Sequence, residues 1–228
     1  APVNALNPGR LGDLQNLFLK LADDTATKAV VLSSNLKVFS AGLNLKEAQY
    51  YDLAAQKAIV DGFHKAFLEI FAFPKPFIVA VEGAAIAGGF FPVICSDYRV
   101  AGPSASFGLA EVRVGVGMPL GLMEIIRSML SPNDLRLILQ NGSAIQVDAA
   151  IQAGIVDELV QSGGALDQAL KIAREYAQIP PKAYKTVKHQ IRADTIAILK
   201  REVEKSASSD CDPWFTEETA PAMANMIR

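Results

Sequence analysis

Cysteine, histidine and tryptophan are scarce in this chain: two Cys, two His and one Trp among 228 residues. Cys95 and Cys211 are too few for a disulfide framework. Neither they nor His64 and His189 fall at metal-ligand spacing. The expectations are no metal and a reducing compartment, the cytoplasm. Long apolar runs are also missing. Tracts such as Phe77 to Val81 fall far short of the roughly 18 residues that a bilayer span needs, so no membrane partner is expected. Charge of either sign is not in excess. With 22 Lys and Arg against 24 Asp and Glu, the net charge is -2, which argues against nucleic acid as a partner. Neither end reads as a secretory signal or a peroxisomal address, and the abrupt start at Ala1-Pro2 is compatible with a preceding segment.

Several catalytic signatures are missing too. There is no P-loop and no H-E-x-x-H. Gly115 to Gly121 looks briefly like a dinucleotide fingerprint, but its third glycine is one residue late and Pro119 interrupts the turn. Gly102 to Ser106 fails the nucleophile-elbow pattern because Ser106 stands where glycine is required. His64 lies among apolar helical residues and His189 in a basic stretch, which predicts structural roles for both.

What is present is a chain long enough for a full core, half hydrophobic and a fifth charged. Its first half alternates apolar strands with amphipathic helices. Asn7-Pro8 predicts a helix start, with Leu11, Leu14, Phe18 and Leu21 at helical spacing. Strands are predicted at 29–32, 77–81, 98–101 and 155–160. Helices are predicted over 54–71 and from Ser131-Pro132 to Asn141-Gly142. From Ala165 onward nearly everything reads as helix, broken at Pro180-Pro181. The pattern is α/β, with a core over 1–163, a helical region over 164–228 and a soft boundary near Gly163-Gly164.

Three glycine-containing segments carry the functional signal: Val38 to Glu47, Val81 to Phe90 and Phe107 to Gly115. The first two each follow an apolar run and lead into a helical turn. The start of such a turn exposes unpaired backbone amides, and two facing one another can hold a developing oxyanion. In this order the three segments resemble the crotonase (enoyl-CoA hydratase and isomerase) superfamily. The resemblance runs from Pro2-Val3-Asn4 and weakens after about residue 205.

The resemblance implies a β-β-α spiral core, a helical C-terminal trimerisation region and a homotrimer or hexamer. The implied substrate is an acyl-CoA, with coenzyme A as part of the substrate and no separate cofactor. It implies the amides of Leu43 and Gly88 as oxyanion donors and Glu111 as the catalytic carboxylate. Lys37 and Lys46 match positions that hold the phosphates or adenine of coenzyme A. Ala41, Gly89, Phe91 and Pro119 are expected substrate contacts, and Glu124 a supporting acid. One departure is informative. Hydratases of the superfamily carry a second glutamate where this chain has Phe91. A phenylalanine can neither hold nor deprotonate water, whereas isomerisation needs a single base. Gly108-Leu109-Ala110-Glu111, with Pro119 following, is similar to the Δ3,Δ2-enoyl-CoA isomerase branch of fatty-acid β-oxidation. That activity is the expectation. A hydratase, another acyl-CoA lyase or hydrolase, a ring isomerase and an inactive binding homologue are the alternatives. The segment Asp212-Pro213-Trp214-Phe215 departs from the superfamily's usual ending.

Overall fold

The computed structural model describes residues 3–207 and 213–227. Helix α1, Pro8–Asp23, opens the chain. Asn7 caps it by accepting the Arg10 amide at 3.0 Å, and Pro8 fills the first turn, where a missing N–H costs nothing. Strand β1, Val30–Leu32, helix α2, Leu45–Ala48, and the long helix α3, Leu53–Phe71, follow. Next come β2, Phe77–Val81, β3, Ala84–Ile86, a 3-10 turn at Ala87–Phe90 and helix α4, Phe91–Cys95. Strands β4, Tyr98–Ala101, and β5, Ser106–Gly108, lead to a second 3-10 turn, Glu111–Val114. Helices α5, Leu120–Met129, and α6, Pro132–Asn141, precede β6, Ile145–Gln146, α7, Val147–Gln152, and β7, Glu158–Leu159. The described chain ends in α8, Ala165–Tyr176, α9, Pro181–Ala207, and α10, Thr219–Ile227.

The strands form two sheets. One is wholly parallel, in the order β1-β2-β4-β7; the other runs β3-β5-β6, with β6 antiparallel at its edge. Every residue of β2 is buried, as the unbroken apolar run predicts for a strand covered on both faces. Phe77, Val79 and Val81 enter the main core with α3, while Ile78 and Ala80 meet Ala165, Ala169 and Ile172 of α8. A boundary at residue 163 therefore runs between this sheet and the helix on its second face. Glu82 joins them: its Oε1 accepts the Ala165 amide at 2.9 Å, capping α8 from 83 residues away in sequence.

Two sequence expectations differ in extent. The strand expected over 155–160 is reduced to Glu158–Leu159 because Ile155 and Val156 turn back and donate their amides to Ala150 O. In the second sheet, β3 lies inside the glycine segment Val81 to Phe90 and β5 runs into the segment Phe107 to Gly115, while β6 falls at residues for which no strand is expected. Cys95 is buried in the core, and Cys211 lies outside the described residues. Among the described residues no helix is long and apolar enough to cross a membrane.

A buried charge cluster ties α9 to the core. Asp97 accepts Lys188 Nζ at 2.6 Å and Arg192 Nη2 at 3.0 Å, and also takes the Phe77 amide at 2.9 Å. Arg192 donates further to Phe71 O and Cys95 O, and lies 4.5 Å from the Phe71 ring centre. All three charged side chains are at most 10% exposed. Removing one partner of such a cluster strands the other charges in a medium that solvates them poorly. Asp97→Asn is expected to lower the unfolding free energy by about 3–5 kcal/mol in urea titrations. A change below about 1 kcal/mol would mean that both cations reach water.

Candidate active site

Two backbone turns approach each other closely. Ser40 forms a parallel bridge with Ala85 of β3, and Leu43 one with Leu6. Leu6 donates to Gly42 O at 2.7 Å and accepts from Asn44 N at 2.8 Å. In this parallel pairing Leu43's own amide faces away from Leu6. Gly42 sits at φ +74°, and a Cβ there would lie 2.6 Å from Ile86 O and 3.0 Å from Gly88 N. Only glycine permits this approach. Ala87, just before Gly88, adopts φ +50°, a left-handed backbone that costs a non-glycine residue about 1–2 kcal/mol. Gly88 is the second residue of the 3-10 turn, where backbone amides have no partner within the turn.

Leu43, Gly88 and Glu111 line one cavity of about 80 Å³, and Glu111 is its one acidic lining residue among the described residues. Ala41, Phe63, Met118 and Leu122 make its wall largely apolar. Glu111 begins the second 3-10 turn, which Gly115 ends at φ +71°. Gly115 also anchors the C-terminal helix: its carbonyl accepts Thr219 Oγ1 at 2.8 Å, just where α10 starts. The Glu111 residue is half-buried as a whole, but its Oε2 is sealed from solvent and has no hydrogen-bond partner. Burial pushes its carboxyl up to about 7, partly opposed by a hydrogen bond from its own backbone amide. A carboxyl held near neutrality in an apolar pocket can both take and return a proton at working pH.

The remaining sequence candidates divide. Ala41 and Pro119 line the Glu111 cavity. Lys37 and Lys46 are exposed, on the loop before the first turn and on α2. Gly89 faces the other way: a Cβ there would strike Ser40 Oγ at 2.5 Å, and the residue borders a separate cavity of about 310 Å³ with Ser40 and Pro92. Phe91, expected to touch substrate, is instead fully buried. It stacks on Phe67 at 4.9 Å, and Phe67 stacks on Phe63, so it lies behind the cavity wall. The turn into α4 rotates successive side chains to different sides, and position 91 points into the core. Glu124 is paired with Arg127 one turn along α5 and is not part of the cavity lining.

His64 is buried with both ring nitrogens unpartnered, packed against Gly121 of α5 and close to Leu199 of α9. Burial holds its pKa below the usual imidazole value. Sequence reasoning missed Phe63, Met118, Leu122, Trp214 and Met226 as cavity residues. Phe63 reads from the sequence as part of a helical core stripe with Phe67 and Phe71, and Trp214 as part of a departure from the superfamily's ending. Among the described residues no cluster of three or more His, Cys, Asp or Glu is placed to hold a metal ion.

Comparison with known proteins identifies the family. The family model for enoyl-CoA hydratase/isomerase matches residues 1–212. The 2,3-dehydroadipyl-CoA hydratase of Escherichia coli K12 is 35% identical over 191 residues, covering 83% of this chain and 73% of that protein. A crotonyl-CoA hydratase from Syntrophomonas wolfei is 32% identical over 174 residues, 75% of this chain and 66% of its own. Among solved structures, an enoyl-CoA hydratase from Mycobacterium ulcerans superposes with a TM-score of 0.83 at 27% identity, covering 90% of both chains. The human mitochondrial Δ3-Δ2-enoyl-CoA isomerase superposes at 0.85 over 99% of this chain and 88% of its own, and at 23% identity it speaks to the fold alone. With its crotonase fold and this site, the chain belongs to the enoyl-CoA hydratase/isomerase family of acyl-CoA-processing enzymes.

Proposed function

We propose that the protein is a Δ3,Δ2-enoyl-CoA isomerase in which Glu111 moves the proton. The observation that carries this reading is the single carboxyl of the cavity, with Phe91 sealed in the core where hydratases of the superfamily place a second one. The thioester oxygen sits between the amides of Leu43 and Gly88. Glu111 removes a proton from C2, and the C–H electron pair forms a C1–C2 double bond while charge moves to the oxygen. Collapse of this enolate makes the C2–C3 double bond. The former C3–C4 pair then takes the proton back from Glu111 at C4. No water or electron is consumed. Each amide donor is worth on the order of 10²–10³ in rate and the base roughly 10²–10⁴. In this reading Lys37 and Lys46 hold the carrier's phosphates, and the enzyme assembles as a trimer or a hexamer.

Hydration is the second reading, favoured by relatives named as hydratases at 35% and 32% identity. In that case Glu111 handles water alone, or Glu124 leaves Arg127 to join it.

Purified protein given 3-hexenoyl-CoA should raise the absorbance of the conjugated enoyl thioester, and given crotonyl-CoA should leave it unchanged. A fall with crotonyl-CoA would mean added water and would defeat the argument from Phe91. Glu111→Gln should lower kcat by roughly 10²–10⁴ and leave acyl-CoA affinity within a few-fold; undiminished turnover would remove Glu111 from the mechanism. In the native enzyme kcat/KM should rise with pH through about 7, because the base is the ionised form. Stability runs the opposite way. A folded-state pKa raised from 4.5 to about 7 means that the unfolded chain loses this proton first. Stability therefore falls as pH climbs across that window. Glu111→Gln should be more stable than the native protein above pH 7, by on the order of 1–3 kcal/mol, and should lose that advantage below about pH 4.5 in denaturant titrations.

A further inference from the structure

Adjoining the Glu111 cavity is a much larger cleft of about 950 Å³, bordered by Leu53, Val60 and Leu120 and by the charged Lys57, Glu202 and Lys205. The two spaces share three lining residues, Met118, Pro119 and Trp214. Trp214 is held from several directions. Its indole N–H donates to Gly117 O at 2.9 Å, and its ring meets Phe63 edge-on at 6.2 Å and Phe215 at 5.5 Å. The backbone beside it is fixed as well. Phe215 forms an antiparallel bridge with Val116, and its amide donates to Gln56 Oε1 at 3.1 Å. An indole fastened at its nitrogen, its face and its neighbouring backbone is a wall.

The small cavity sets the size of what fits in front of that wall. A water-sized occupant takes roughly 10–15 Å³ of free space. The cavity of about 80 Å³ thus holds on the order of five to eight heavy atoms, an acyl group of about four to six carbons with its carbonyl oxygen. We infer that Trp214 is a specificity-determining residue that restricts the enzyme to short-chain acyl thioesters by closing the Glu111 pocket off from the adjoining cleft. This rests on the Glu111 pocket being the acyl site, and not on which reaction takes place there. Opening the wall joins the two spaces and gives a long chain somewhere to lie.

The test uses two substrate series, 3-hexenoyl- and 3-decenoyl-CoA, and crotonyl- and 2-decenoyl-CoA, with the native protein, Trp214→Ala and Trp214→Phe. Affinities for butyryl-CoA, decanoyl-CoA and free coenzyme A are measured in parallel by calorimetry, and thermal unfolding checks each variant. The native protein should favour the shorter member by about tenfold or more, and Trp214→Ala should shift that ratio toward the longer member by at least about tenfold. Trp214→Phe, which keeps an aromatic ring but loses the bond to Gly117, should fall between. Equal use of short and long chains by the native protein overturns the inference. So does a Trp214→Ala variant that is folded and weaker on all chain lengths alike, or one that loses free coenzyme A together with both thioesters, which would assign the cleft to the carrier. If neither series is turned over, the proposed reaction fails, and the butyryl-to-decanoyl affinity ratio still decides the role of Trp214.

Discussion

The closeness of Gly42 to Ile86 and Gly88 is the constraint on which the rest of the site depends. A side-chain carbon at position 42 has no room between a carbonyl and an amide of the facing turn. Because the two turns touch, Leu43 and Gly88 border one cavity although 45 positions separate them in sequence. The parallel bridges of Ser40 and Leu43 set the height of the first turn, and β3 sets that of the second. The alanine at φ +50° next to Gly88 is the local strain of this arrangement, tolerated where surrounding pairing over-determines the backbone.

Glu111 enters the same space from a third direction, at the end of β5. Its carboxyl has little help from neighbours: Oε2 has no donor, and the lining is largely apolar. That isolation raises its proton affinity and also costs the folded state stability once the group ionises. Proton affinity and folding thus draw on the same burial in opposite senses.

Much of this was legible before any coordinates. The Asn7-Pro8 and Ser131-Pro132 caps, the doubly buried β2 and the three glycine segments are local signals, and each lies where its residues direct. The second sheet was not legible because its strands are only two or three residues long, too short to display a period. Trp214 and Met226 reach the cavity from more than 90 positions beyond Glu111, and no local pattern reports such a return. Phe91 shows the limit most clearly. Its place two residues after the double glycine is plain in the sequence, but the direction in which it points depends on how the turn winds into α4. Gly88 borders the cavity, Gly89 faces Ser40 and Phe91 faces Phe67.

Helix α9 is fastened at one end and borders a cleft at the other. Lys188 and Arg192 lock into Asp97, while Glu202 and Lys205 flank the cleft beside Trp214. At 1.5 Å per residue, Lys188 and Lys205 are about 25 Å apart along the axis. Substitutions separated by that distance and sharing no partner usually add independently. The cleft end of this helix can therefore change its side chains without disturbing the anchor that keeps the helix in place.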